Sequence, residues 1–122
     1  MPLHNKILIA DDDNEMLETL SSMLEAEGYQ VLKAENGREA VEMARKELPA
    51  LIMLDIHMPI MDGLMACKAI KEDKVTKGAQ VVMLTVEGSI NEIQQAISYG
   101  AKTYITKPSS KAEILKVVKS IL

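Results

Sequence analysis

Short apolar runs alternate with longer stretches in which apolar residues return every three or four positions, and this alternation repeats five times along the chain. Runs too short for a helix read as strands, and the longer period reads as helices with one buried face. The pattern therefore predicts an α/β domain built on a parallel sheet. Residues 6–10 (KILIA) form the first strand. Asp13 or Asn14 then caps a helix that carries Met16, Leu17, Leu20, Met23 and Leu24 on one face, and Gly28 ends it. Residues 29–33 (YQVLK) are the second strand, Asn36-Gly37 a turn, and residues 38–47 a helix that turns Ala40, Val41, Ala44 and Leu48 inward before Pro49 closes it.

Residues 51–54 are apolar at every position, as a strand covered on both faces must be, so this segment belongs in the middle of the sheet. Asp62 caps a third helix that runs through Lys71. The fourth strand is 80–84 (QVVML), followed by a helix capped by Ser89, carrying Ile93, Ala96 and Ile97 and stopped at Gly100. Residues 102–106 (KTYIT) alternate more and include a lysine, which suits a sheet edge. Ser110 and Glu113 have the spacing of a capping box and open a last helix presenting Ile114, Leu115, Val118 and Leu122.

A chain of 122 residues supports one core, so one domain spanning 1–122 is expected. Its charged fraction of 26% beside a hydrophobic fraction of 48% is that of an ordinary globular protein and favours neither disorder nor a coiled coil. With a net charge of -4 and scattered basic residues, there is no electrostatic reason to bind nucleic acid or a membrane surface directly. Cys67 has no second cysteine to pair with, and the start has no secretory h-region, so a cytoplasmic location is expected. No apolar run approaches the ~20 residues that span a bilayer. Phe and Trp are absent, and nine methionines read as adaptable core filler rather than a ligand cage.

In an open parallel sheet, sites form outside the carboxyl ends of the strands. Asp11, Asp12 and Asp13 follow the first strand, Asp55 the third, Thr85 the fourth and Lys107 the fifth, so separate loops deliver charge or hydroxyl to one rim. An acidic residue at such a junction is often only a helix cap, which for Asp13 is as good a reading as any other. Adjacent carboxylates such as Asp11 and Asp12 repel unless a cation shares them, and Mg2+ accepts one or two carboxylates together with waters and phosphate oxygens. Zinc and iron are disfavoured: His57 is the only nearby nitrogen ligand, otherwise a plain loop residue, and His4 is remote. Beside such an ion Asp55 can act as a nucleophile toward phosphorus, with Thr85 and Lys107 suited to the phosphate oxygens. Pro108 restricts the backbone directly after Lys107 and helps to aim it inward.

These residues resemble the receiver domains of two-component response regulators, including the single-domain chemotaxis type. ILIADDD at the first strand, LDIHMPIMDG around Asp55, MLT ending at Thr85 and YITKP at 104–108 carry the resemblance over essentially the whole chain. It implies a flavodoxin-like (βα)5 doubly wound fold with strand order 2-1-3-4-5. It also implies a signalling domain rather than an enzyme acting on other substrates, one that catalyses its own phosphorylation on Asp55 and its own dephosphorylation. Asp12 would be a direct Mg2+ ligand, Asp11 a ligand through water, and the His57 backbone carbonyl would join them with Asp55. Thr85 and Lys107 would bind phosphoryl oxygens, and Tyr104 would be an aromatic switch; from the residues alone, Tyr104 reads as a half-buried strand residue with a wet hydroxyl. The implied partners are a histidine kinase or phosphotransfer protein and a downstream effector or output domain. Readout is expected on the face of the fourth helix, fifth strand and fifth helix, with Gln94, Gln95, Tyr99, Lys102, Lys116 and Lys119 exposed. The chain would act as a monomer or a phosphorylation-dependent dimer.

Several positions depart from the usual family pattern. Val86 follows the threonine where a small residue is common, and its branched side chain is expected to slow hydrolysis. His57 and Glu87 flank the expected path of the attacking water and should also tune phosphoryl lifetime. Ser109 stands where a bulky apolar residue is common. Two other classes compete: a haloacid-dehalogenase-like phosphatase, since Asp11-Asp12-Asp13 matches its Asp-x-Asp motif, and a receiver-like interaction module that is never phosphorylated. Glu15 argues against the first, and the clustered like charges against the second.

Overall fold

The computed structural model describes residues 6–86, 90–107 and 109–122. The expectations for His4, Glu87, Ser89 and Pro108 lie outside these residues. Five strands and five helices alternate: β1 (Lys6–Ala10), α1 (Asn14–Ala26), β2 (Gln30–Ala34), α2 (Gly37–Glu47), β3 (Leu51–Asp55), α3 (Gly63–Glu72), β4 (Gln80–Val86), α4 (Ile90–Ser98), β5 (Thr103–Lys107) and α5 (Lys111–Ile121). The sheet order is β2-β1-β3-β4-β5, every pair being parallel. β3 lies at its centre and β5 at an edge, as the apolar runs foretell.

Successive strand residues point to opposite faces, and this period of two sorts the core into two layers. Leu8, Ile52, Leu54, Val81 and Met83 meet Ala40, Ala44, Ile70 and Ala96 from α2, α3 and α4. Their neighbours Ile7, Ile9, Leu51, Met53, Val82 and Leu84 meet Leu17, Leu20 and Leu24 of α1 and Ile114 and Val118 of α5. Both faces of the central strands are therefore dry, and every polar group that the strands carry is driven to their ends.

Helix starts follow the caps. Asp13 accepts from the Glu15 and Met16 amides, Asp62 from Met65, and Ser110 and Glu113 close a capping box. Asn36 is a cap rather than part of a turn: its side chain accepts from the Glu39 amide at 2.8 Å, and Gly37 is already helical. β2 begins one residue later than the apolar pattern indicates because the Tyr29 amide closes α1 on the Leu24 carbonyl. Leu48 is turned outward, 59% exposed, because the chain leaves α2 through a left-handed residue there, with φ 50°. Ile97 and Leu122 are also exposed, so these two faces end sooner than their period suggests. β4 extends two residues past Leu84, and β5 spans 103–107, so Thr85 and Lys107 lie within strands, paired in the registers Thr85↔Thr106 and Val86↔Lys107.

Candidate functional site

The carboxyl ends of β1, β3, β4 and β5 meet at one rim. Asp11, directly after β1, is 1% exposed. Its Oδ1 accepts from the Asp13 amide at 3.0 Å and its Oδ2 from Lys107 Nζ at 2.7 Å. Asp55, the last residue of β3, makes a longer contact, 3.4 Å from its Oδ1 to the same ammonium. Lys107 thus bridges two carboxylates carried at the ends of β1 and β3, neighbouring strands at the middle of the sheet. Asp12 is exposed beside them, and one oxygen from each of Asp11, Asp12 and Asp55 lies within 4.8 Å of the others. Asp13 is not part of this group; it is the cap of α1.

Three carboxylates against one ammonium leave the site under-compensated, which favours the protonated form of Asp55. Burial, then the charge of Asp11, push its pKa up to about 6, against the opposing pull of Lys107. Burial lowers the pKa of Lys107, but its hydrogen bond to Asp11 and the charges of Asp55 and Asp11 outweigh it, so the lysine is held firmly protonated. An all-oxygen donor set, mostly buried and short of positive charge, fits a hard divalent cation of the Mg2+ kind.

Thr85 is buried beside this group, with its hydroxyl donating to the Val86 carbonyl at 2.9 Å, while Val86 itself is 54% exposed. The His57 ring is exposed, with Nε2 3.2 Å from Glu92 Oε1 on α4. Tyr104 faces outward from the edge strand, 44% exposed. Of the expected readout residues, Gln94, Gln95, Lys102, Lys116 and Lys119 are exposed; Tyr99 is only half so, since Gln95 bonds its hydroxyl at 2.8 Å and Lys68 lies over its ring.

Three contributors do not stand out in the sequence. A Cβ on Gly63 would lie 2.0 Å from the Asp55 carbonyl oxygen, and one on Gly37 would lie 2.2 Å from that of Met61. The two glycine amides also donate to the loop after β3, Gly63 to Ile56 and Gly37 to Met61. Two helix starts thereby clasp the loop that follows β3. Glu92, the third contributor, comes from a different element, and no motif marks it. For Gly37 the Asn-Gly pair was the available signal, but it reads more readily as turn chemistry; for Gly63 the Asp62 cap marks the helix start without showing how closely that start approaches β3.

The chain matches the response regulator receiver domain family over residues 7–119 and belongs to it. It is 36% identical to Protein PilH of Pseudomonas aeruginosa, covering 96% of this chain and 97% of that one. It is 39% identical to the chemotaxis protein CheY of Halobacterium salinarum, covering 96% of each. Among solved structures, a chain of the CheX-CheY-BeF3-Mg2+ complex from Borrelia burgdorferi superposes with a TM-score of 0.88 at 32% identity, over 95% of this chain and 87% of that one. The chain is thus a signalling domain of the CheY-like kind. This family and the geometry of Asp11, with both of its oxygens bonded, oppose the reading of Asp11 as a phosphatase nucleophile.

Proposed function

We propose that Asp55 accepts a phosphoryl group from the phosphohistidine of a histidine kinase or phosphotransfer protein, and that the modified domain then favours one downstream partner. The observation that carries this reading is the Lys107 bridge between Asp11 and Asp55, set in a cluster of three carboxylates. In the transfer, an Asp55 carboxylate oxygen attacks phosphorus, the P–N bond to the donor imidazole breaks, and an acyl phosphate forms. Mg2+, held by Asp11, Asp12, Asp55 and the His57 backbone carbonyl, would neutralise phosphate charge. The BeF3 and Mg2+ of the CheX-CheY complex support this assignment by analogy.

Lys107 has only to pivot from Asp11 to a phosphoryl oxygen, since its ammonium already sits between the two carboxylates. Thr85 exchanges the Val86 carbonyl for a second phosphoryl oxygen, and Tyr104 moves inward from its exposed position. The face of α4, β5 and α5 is thereby biased, and a partner responds only if it binds one state better than the other. Later a water attacks phosphorus, the Asp55 oxygen leaves, and inorganic phosphate is released. His57, Val86 and Glu87 are proposed to set how quickly this happens.

Incubation with Mg2+ and acetyl phosphate, followed by intact mass, tests the central step. The parent should gain one phosphoryl group and Asp55→Asn none; no gain with any donor would sink the reading. For the lifetime, Val86→Ala should lose its phosphoryl group severalfold faster, because a smaller exposed side chain opens the approach of water. Equal decay of the two proteins would remove the steric role of Val86.

A further inference from the structure

A second concavity lies behind the site, between α1, the end of β5 and the start of α5. It encloses about 300 Å3, and its walls include Met16, Leu20, Met23, Leu84, Ile105 and Ile114. Ser109 also lines it, and the Ser109 hydroxyl is already engaged with the Thr106 carbonyl. A small side chain at this position leaves the space open where a bulky one would fill it. Both charged residues lining the cavity are lysines. The ammonium of Lys107 is committed to Asp11 and Asp55, so what Lys107 offers the cavity is its apolar stem. Lys111 is exposed, with no ion-pair partner among the described residues.

We propose that this cavity binds an aliphatic monocarboxylate of medium chain length, with its tail among the methionines and its carboxylate at Lys111. The volume suits roughly ten non-hydrogen atoms, at the ~30 Å3 that a water-sized group occupies in a liquid. That is the size of octanoate. Unbranched methionine side chains on two turns of α1 can close around such a tail without a fixed shape. An anionic head is selected because, among the described residues lining the cavity, the uncommitted charge is the positive one of Lys111, and a cationic or zwitterionic amphiphile gains nothing there. The occupant would touch the stem of Lys107 and so be linked to the site in front of it; by reciprocity, any movement of that lysine would alter the ligand's affinity.

The test uses the intact protein with 13C-labelled methionine methyl groups and needs no phosphodonor, so it stands apart from the phosphoryl-transfer reading. Octanoate should shift the Met16 and Met23 signals saturably below its micellar concentration. Lys111→Gln should weaken octanoate about three- to fivefold, as expected for an exposed ion pair, and leave octan-1-ol unchanged. Ser109→Phe, or Ser109→Leu should the larger residue prevent folding, should abolish the shifts while the protein still melts cooperatively. Absence of saturable shifts, or unaltered shifts in a folded Ser109 variant, would overturn the proposal. Octan-1-ol binding as tightly as octanoate would overturn the assignment of an anionic ligand.

Discussion

Asp55→Asn should melt well above the parent protein at pH 7.5 in the presence of a chelator, even though it removes the residue on which the proposed chemistry depends. The folded pKa of Asp55 is about 6, against a reference of 3.8. The native state therefore holds this proton more tightly than the unfolded chain does, and stability falls as pH rises from about 4 through 6. Above that window the full penalty applies, of order 3 kcal/mol for a shift of roughly two units. Asparagine keeps the shape without the charge. At pH 4 the two proteins should be nearly equal, with the gap opening to about 10 °C at pH 7.5 for a domain of this size. Mg2+ should raise the melting temperature of the parent and narrow the difference, because it supplies the charge that the site lacks. Calorimetry at the two pH values, with and without Mg2+, measures all of this. A variant no more stable than the parent at pH 7.5, or a gap that ignores pH, would show that the carboxylates are better compensated than the geometry indicates.

The same crowding explains why the site was legible in the sequence. β3 and β4 announce themselves because no soluble helix of four or five residues would be apolar all round, and once they are parallel, their polar successors must share a rim. Where reading and structure part, a local tie decided between two patterns. Asn36-Gly37 carries the composition of a turn and of a helix start alike, and the bond from Glu39 settles it. Leu48 continues the helical period of α2, yet Pro49 disfavours a right-handed residue before it, and the chain exits through a left-handed one with Leu48 in solvent. Thr85 and Lys107 read as loop residues because they are polar, whereas parallel pairing at the rim extends both strands to include them. The His57–Glu92 contact was out of reach, since nothing in one element's sequence fixes which residue of another will face it.

Gly63→Ala separates these two kinds of information sharply. By helix propensity alone, alanine at the first residue of α3 should stabilise the protein, by up to about 1 kcal/mol. Space says the reverse. The new methyl group would lie 2.0 Å from the Asp55 carbonyl oxygen and 2.9 Å from both the Asp55 carbonyl carbon and Ile56 Cα. All three are backbone atoms, so no rotamer change relieves the contact. Either α3 moves away, breaking the 2.8 Å bond from the Gly63 amide to the Ile56 carbonyl, or the end of β3 shifts and carries Asp55 with it. The expected loss is about 2–4 kcal/mol, typical of a severe steric change in a packed region. The surviving folded protein should also take up phosphoryl groups at least ~10-fold more slowly, since a displacement of about 1 Å at a reacting group can reduce rates 100-fold. Gly78→Ala is the control: a Cβ there meets nothing within 4 Å, so denaturant melts should show little change or a slight gain. If Gly63→Ala matched that control in stability and in phosphorylation rate, α3 would not be pressed against the Asp55 backbone, and the glycine would be a matter of helix initiation alone.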